Sequence, residues 1–123
     1  MIPLFTSEHV RAADNHAIKK LKISGEILME NAAISIVTAI FEKYPYLDSS
    51  YKFGIVCGKG NNGGDGYVMA RLLSEQGWQV ETLILGKEAD ITGDAEVMLN
   101  ILQKLELPHS FVVEDDDLKA RLV

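Results

Sequence analysis

The sequence predicts an α/β fold built on a parallel sheet, and three observations point to it. Three short, largely apolar runs alternate with segments of helical periodicity, the order that successive β-α-β crossovers produce. Hydrophobic residues make up 47% of the 123 residues, which is enough to bury a core in one domain. Glycines concentrate between the first apolar run and the helix after it, where open parallel sheets bind ligands. With right-handed crossovers this is half of a doubly wound sheet, so we expect residues 1–123 to be one domain that is truncated at its C-terminus.

Two helices are predicted before the first strand. The first spans about Thr6 to Leu21, where apolar residues recur at intervals of three and four. The second begins at Ser24 as its N-cap and runs to about Lys43, and it stops at Tyr44-Pro45 because proline disfavours helix in the residue before it. Their position ahead of the sheet leaves both helices free to cover the face opposite the crossover helices.

The remaining elements alternate between strand and helix. The predicted strands are three short apolar runs: Lys52–Cys57, Gln79–Leu85 and Ser110–Glu114. Between them lie predicted helices over 67–76, with Gly77 as C-terminal cap, and over 94–105. Three strands leave a sheet edge unpaired, which we expect at the second or the third strand.

The charge balance and the single cysteine exclude several classes of protein. Eighteen acidic residues against 12 basic ones give a net charge of −6, which disfavours binding to nucleic acid. The longest nearly apolar stretch, Ala32 to Phe41, is far shorter than the ~20 residues of a membrane span. One cysteine cannot form an internal disulfide, and the N-terminus lacks the pattern of a secretion signal. We therefore expect a cytoplasmic protein with no membrane segment, in which Cys57 is an inert buried hydrophobe.

The most informative segment is the run Gly58-Lys59-Gly60-Asn61-Asn62-Gly63-Gly64-Asp65-Gly66, which is predicted as a loop at the carboxyl end of the first strand. Its glycines match the dinucleotide fingerprint Gly-x-Gly-x-x-Gly, with Glu88 available for a ribose, but Asp65 would repel a pyrophosphate unless a cation intervened. The residues fit better a site in which backbone amides hold a phosphate or carbonyl group and Asp65 exchanges a proton. In such a site Asn61 and Asn62 would offer amide oxygens to a hydroxyl group or a hard cation. The plain alternative is a turn that merely permits close packing of strand and helix.

The segment closely resembles the signature of the YjeF N-terminal domain family, the NAD(P)HX epimerases, in Gly60-Asn61-Asn62-Gly63-Gly64-Asp65-Gly66 followed by Ala70-Arg71. A second match lies in the preceding helix, where Leu28-Met29-Glu30-Asn31-Ala32-Ala33 is similar to the family's Leu-Met-Glu-Asn-Ala-Gly element. The resemblance implies a Rossmann-like three-layer sandwich with a mostly parallel sheet. It also implies an isomerase of cofactor repair that interconverts the R and S forms of hydrated NADH and NADPH. Further family elements would lie beyond Val123, and Lys59 stands where the family often has proline.

The same resemblance implies roles for individual residues. In the family, the segment that matches Asn61, Asn62, Gly63, Gly64 and Asp65 contacts the hydrated nucleotide. The position that matches Asn62 is a ligand of a bound potassium ion. Asp65 is then the candidate catalytic acid or base, and a partner Asp expected beyond Val123 is the alternative main catalyst. The expected substrates are the small molecules NADHX and NADPHX, the expected functional partner is an NAD(P)H-hydrate dehydratase, and a homo-oligomer is a further arrangement that we consider.

Two other functions stay open on the sequence. A non-catalytic binding or scaffold domain of the same family would share the fold, although the intact run from Asn61 to Asp65 argues against it. A dinucleotide-binding half-domain of a dehydrogenase would use the glycine fingerprint to bind the intact cofactor. Asn31 is predicted either to orient the glycine segment as a buried amide or to cap a neighbouring turn, and Glu30 is expected to have a structural role.

Overall fold

The computed structural model describes residues 23–113, and these form an α/β unit with a parallel sheet. In chain order the elements are α1 (Gly25–Lys43), β1 (Lys52–Cys57), α2 (Asn61–Glu75), β2 (Gln79–Leu85), a 3₁₀ turn (Glu88–Asp90), α3 (Gly93–Lys104) and β3 (His109–Val112). The predicted α/β class and the order of its elements are confirmed. The helix predicted over Thr6–Leu21 lies outside the described residues, as does Glu114 at the end of the third predicted strand.

The sheet has the order β1-β2-β3, and both strand pairs are parallel. Val56 of β1 lies opposite Leu83 of β2, and Leu83 in turn lies opposite Ser110 of β3. Because the two crossovers step in the same direction, β2 is the central strand. Of the two strands predicted to leave an edge unpaired, the third is confirmed and the second is excluded. Within the described residues the free edges belong to β1 and β3.

One face of the sheet carries the helical layer. The helix α2 packs on β1 and β2, and α1 and α3 pack on either side of α2. The core lies between these layers, and its largest fully buried side chains are Tyr67, Leu73, Ile84, Leu99 and Leu102. Among the residues described, no helix is long and apolar enough to cross a membrane.

The position of α1 differs from the prediction. As expected, the Ser24 hydroxyl caps its start by accepting a hydrogen bond of 3.2 Å from the N–H of Ile27. At its other end Phe41 stacks on Trp78, with ring centroids 5.2 Å apart, and meets the edge of Phe53 at 6.1 Å. Phe53 points to the side of the sheet on which α2 packs, so α1 joins the layer of α2 and α3 and does not cover the opposite face.

The end of α2 follows the prediction closely. Gly77 adopts φ +91°, and its N–H bonds to the carbonyl of Ser74 at 3.0 Å. The next N–H, that of Trp78, reaches back to the carbonyl of Leu73 at 3.1 Å. This pair of bonds is a Schellman motif, and it turns the chain directly into β2.

Candidate functional site

The candidate site lies where β1 ends and α2 begins, at the carboxyl end of the sheet. The sequence predicted a loop up to Gly66, but α2 already starts at Asn61, with Gly60 as its N-cap. The N–H of Gly63 bonds to the carbonyl of Gly60 at 3.0 Å, which closes the first turn. Helix propensity argued against this start, because glycine is about 1 kcal/mol worse than alanine inside a helix, and tertiary packing overrides that preference.

Three glycines in this first part of α2 are places of close approach. A Cβ on Gly63 would overlap the backbone carbonyl of Gly58, and one on Gly66 would overlap the Cys57 sulfur. A Cβ on Gly64 would lie 2.5 Å from Met29 Sδ of α1 and 3.1 Å from the Ala95 Cα of α3. Close packing of these glycines therefore does not exclude a binding site. The same packing holds the start of α2 against β1, α1 and α3.

The start of α2 presents backbone donors toward the carboxyl end of the sheet. Because its N-cap is a glycine, no cap side chain occupies the first N–H groups of the helix. Free N–H groups and the helix dipole together favour an anion or a developing negative charge at this end. The structure places the backbone of Asn61 and Asn62 in this first turn, whereas the roles predicted for their side chains lie outside what it describes.

Asp65 lies one turn further along α2 and is partly buried. It lines a cavity of about 460 Å³ between α1, the free edge of β1 and α2. Nine other described residues line this cavity, all of them apolar or glycine: Ile36, Ile40, Phe53, Gly54, Ile55, Val56, Gly66, Met69 and Leu73. A carboxylate on an apolar groove is a candidate for proton exchange with a molecule bound in that groove.

Lys59 links the ends of the first two strands. Its aliphatic chain lies over Gly86, and a Cβ at that position would be 2.8 Å from Lys59 Cγ and Cδ. The Lys59 ammonium is 3.9 Å from the carboxylate of Asp90, and both side chains are largely exposed. Solvent screening leaves such a pair worth at most about 1 kcal/mol, so the ammonium is only weakly held at this edge of the sheet.

Glu88, the residue considered for a ribose, is occupied elsewhere. It lies in the 3₁₀ turn after β2, and its Oε1 accepts a hydrogen bond of 2.8 Å from Gln103 Nε2 on α3. This bond directs the carboxylate to α3. The geometry therefore gives no support to the dinucleotide-binding mode in which this residue binds a ribose.

The motif in α1 packs against α2, which carries the glycine motif, through Met29 and Glu30. The sequence did not reveal these two contacts. Met29 packs against Gly64, and Glu30 forms an ion pair with Arg71, which is two turns further along α2. Arg71 also donates to Glu75 at 3.1 Å. Burial opposes the charge of Arg71, but the hydrogen bonds to both carboxylates outweigh burial and raise the pKa of its guanidinium. A structural role of Glu30 is confirmed, whereas Asn31 is exposed and does not form the buried amide considered for it.

The thiol of Cys57 has a structural role. Cys57 is 2% exposed, and burial raises the pKa of its thiol to about 12, so it stays protonated as an inert hydrophobe.

Within residues 23–113, no three His, Cys, Asp or Glu side chains come together as a metal site. Potassium binding through the amide of Asn62 is a different chemistry and stays a prediction.

Comparisons with known proteins agree with this architecture. The family model described as "YjeF-related protein N-terminus" matches residues 25–123. The NAD(P)H-hydrate epimerase of Rhodobacter capsulatus is 44% identical over 94 residues, which cover 73% of this chain and 44% of that protein. The bifunctional NAD(P)H-hydrate repair enzyme Nnr of Moorella thermoacetica is 38% identical over 102 residues, or 83% of this chain and 19% of that protein.

A solved structure shows the same fold. The crystal structure of yeast ynu0, YNL200c, superposes with a TM-score of 0.74 at 22% identity, and the match covers 96% of this chain and 51% of that one. The chain thus spans about half the length of the epimerases it matches, between 40% and 53% of each. The family match over four fifths of the chain includes both motifs and every described strand. The chain therefore belongs to the family of YjeF-related N-terminal domains.

Proposed function

We propose that this chain supplies the first half of the active site of an NAD(P)H-hydrate epimerase, which interconverts the R and S forms of hydrated NADH and NADPH. The observation that carries the proposal is the start of α2. There Asn61 to Asp65 follow the carboxyl end of β1, and the backbone N–H groups of the first helical turn are the donors. Its relatives support the substrate class, because several are named NAD(P)H-hydrate epimerases at 31–44% identity.

The chemistry needs an acid and a base at one carbon of the hydrated nicotinamide ring. An acid protonates the hydroxyl group while the lone pair of the ring nitrogen forms a C=N bond, and the hydroxyl leaves as water. Water then adds to the opposite face, and a base takes its proton, which restores a neutral hydrate of opposite configuration. Asp65 is the proposed acid or base of this half of the site, because its carboxylate is partly buried beside an apolar wall.

The backbone donors of α2 serve a different part of the substrate. The hydrated cofactor carries phosphate groups, and the N–H groups of the first turn offer them hydrogen bonds together with the favourable end of the helix dipole. The partly buried Asp65 would oppose a phosphate in the same place. The two groups are therefore assigned to separate ends of the bound molecule, with the phosphates at Gly60 to Asn62 and the ring toward Asp65.

A potassium ion fits the chemistry of the residues present. Asn62 carries an amide oxygen and lies less than one turn from the carboxylate of Asp65, and oxygen donors of this kind suit a hard cation. Asn62 is the proposed ligand. A bound cation would supply positive charge between the carboxylate and the substrate phosphates.

The proposed reaction would supply the substrate of a dehydratase. Two relatives, from Moorella thermoacetica and Salinibacter ruber, are named bifunctional NAD(P)H-hydrate repair enzymes. We therefore expect the epimerised hydrate to be consumed by an NAD(P)H-hydrate dehydratase. A cytoplasmic location and a homo-oligomeric state are consistent with this role and stay predictions from the sequence.

The test uses a chimera in which this chain replaces the matching segment of the Rhodobacter capsulatus epimerase. Interconversion of the R and S hydrates, followed by chiral chromatography, is expected for the chimera, and Asp65→Asn should slow it by about 10²–10⁴-fold. Asp48→Asn, an exposed carboxylate in the turn before β1, is the matched control and should leave the rate unchanged. A chimera that folds but does not epimerise would refute the function, while an active Asp65→Asn variant would refute only the role of Asp65.

A further inference from the structure

We propose that Lys59 makes the candidate site selective for hydrated NADPH over hydrated NADH, because its ammonium group pairs with the 2′-phosphate of the adenosine ribose. That phosphate is the group by which the two substrates differ, and such an ester carries a charge of about −1.5 to −2 at pH 7. The inference rests on the proposed function, since it takes the bound molecule to be a hydrated dinucleotide. It adds a cofactor preference, because the names of the relatives cover both cofactors.

The first observation is the direction in which the bound molecule extends. Asp65 lines the cavity at the free edge of β1, whereas β2 pairs with the other edge of that strand. The start of α2, to which the phosphates are assigned, follows β1 directly and lies between these two sides. A dinucleotide with its ring toward Asp65 and its diphosphate at the first turn of α2 therefore extends its adenosine half toward the carboxyl end of β2.

The second observation is the position of Lys59 at that end of β2. Lys59 directly precedes Gly60, the N-cap of α2, and its side chain crosses from the end of β1 to Gly86, the residue that follows β2. A Cβ at position 86 would be 2.8 Å from Lys59 Cγ and Cδ, so the aliphatic part of the side chain packs on this glycine. In dinucleotide-binding folds, residues after the second strand distinguish a ribose hydroxyl group from its phosphate ester. The packing therefore brings a positive charge to the place where a 2′-phosphate would lie.

The third observation is the availability of the Lys59 ammonium group for a new partner. Its side chain is 60% exposed, and its Nζ is 3.9 Å from Asp90 Oδ2, which is longer than a hydrogen bond. The same carboxylate oxygen accepts a hydrogen bond of 3.3 Å from the N–H of Lys87. Glu88, which would repel a phosphate, accepts its hydrogen bond from Gln103 on α3. The ammonium group can therefore exchange its weak contact with Asp90 for a phosphate of higher charge.

The test measures the binding of two ligands that lack the nicotinamide ring, ADP-ribose and ADP-ribose with a 2′-phosphate, to the 123-residue chain by titration calorimetry. We expect the 2′-phosphorylated ligand to bind about tenfold more tightly, and Lys59→Gln to bind both ligands about equally. Lys104→Gln is the matched control, because it removes the same charge from the last residue of α3, at the amino end of the sheet. This control should keep the tenfold preference.

The possible results separate the role of Lys59 from other sources of affinity. Equal binding of the two ligands by the unsubstituted chain would overturn the selectivity. A Lys59→Gln variant that loses affinity for both ligands alike would also overturn it, because Lys59 would then bind the diphosphate that both ligands share. Equal losses of preference in Lys59→Gln and Lys104→Gln would assign the preference to the overall charge of the chain and overturn the inference. If neither ligand binds, the phosphate site of the proposed function fails together with it.

Kinetics of the chimera with the Rhodobacter capsulatus epimerase give an independent measurement. Lys59→Gln should lower the ratio of kcat/KM for hydrated NADPH to that for hydrated NADH about tenfold, through a higher KM for hydrated NADPH. Asp90→Asn should raise this ratio by about two- to threefold, because it removes the carboxylate beside the ammonium group. A chimera that epimerises both hydrates with the same kcat/KM would refute the selectivity and leave the proposed function intact. A chimera that binds the 2′-phosphorylated ligand but does not epimerise would refute the function instead.

Discussion

The packing of α2 against β1 makes a quantitative prediction at Gly66. Replacing this glycine with alanine would put a Cβ within 3.0 Å of the Cys57 sulfur, a separation that relaxed Cβ atoms essentially never show, and 3.3 Å from Ile55 Cγ2. Both neighbours are side-chain atoms of β1, and Cys57 is 2% exposed, so relief of the overlap requires a strained rotamer or a shift of the strand. Over-packing of this kind costs about 1–3 kcal/mol. The overlap with the sulfur places the cost at the upper end of that range, about 2–3 kcal/mol, and alanine gains about 1 kcal/mol in helix propensity, so Gly66→Ala should destabilise the fold by about 1–2 kcal/mol net.

The cause is tested by removing the atom that the new methyl group meets. Cys57→Ala by itself should cost about 1 kcal/mol for a lost buried sulfur. In the double variant the two costs should not add, and the coupling free energy should be about 1–2 kcal/mol in the stabilising direction. Gly54→Ala is the matched control, because a Cβ there meets nothing within 4 Å.

Urea denaturation of the unsubstituted chain and the four variants measures these free energies directly. A Gly66→Ala variant as stable as the unsubstituted chain would refute the reasoning, since the helix would then tolerate a side chain at its contact with β1. Additive effects of Gly66→Ala and Cys57→Ala would also refute it. In that case the loss would come from elsewhere than the contact with the sulfur.

Three further predictions concern stability. Glu106 holds φ 55° in the turn that ends α3, so Glu106→Gly should stabilise the chain by about 0.5–1 kcal/mol in urea denaturation, and a loss of stability would contradict the strain. Tyr67 is 1% exposed and its hydroxyl has no hydrogen-bond partner in the described part of the chain. Tyr67→Phe should therefore be neutral or stabilising by up to about 1–2 kcal/mol, and a marked loss would show that the hydroxyl is satisfied. Burial raises the pKa of Cys57 from 9.0 to about 12. The unfolded chain then loses this proton first, so stability should fall as the pH rises from about 9 to about 12, and Cys57→Ala should make that fall shallower.

The helical state of the start of α2 could not be predicted from the sequence. Residues Asn61 to Gly66 include three glycines, and local propensity places them in a loop. Their helical state depends on contacts with Met29 and Ala95, which are distant in sequence, and with Cys57 of the preceding strand. A preference of about 1 kcal/mol for each glycine is smaller than the free energy gained by packing a helix closely on three neighbours, so tertiary contacts decide the state of this segment.

The side of the sheet that α1 covers could not be predicted either. Apolar periodicity shows that this helix has a buried face, and Met29, Ala33 and Val37 do form it. Periodicity does not show which surface receives that face. The partner became clear only from the contact of Met29 with Gly64 and from the ion pair of Glu30 with Arg71, which join two motifs about forty residues apart.

By itself the sequence determined the α/β class, the three strands, the caps at Ser24 and Gly77 and the segment that carries the candidate site. These features depend on local patterns, since periodicity, capping and turn chemistry act between residues near in the chain. The tertiary structure decided that β2 is central, that α1 shares a layer with α2, and that Asp65 lies at a cavity beside the free edge of β1. Those features depend on which surfaces meet after the chain folds. Gly63, Gly64 and Gly66 permit the close approach of α2 to β1, α1 and α3, which is the physical reason that α1 packs in the layer of α2.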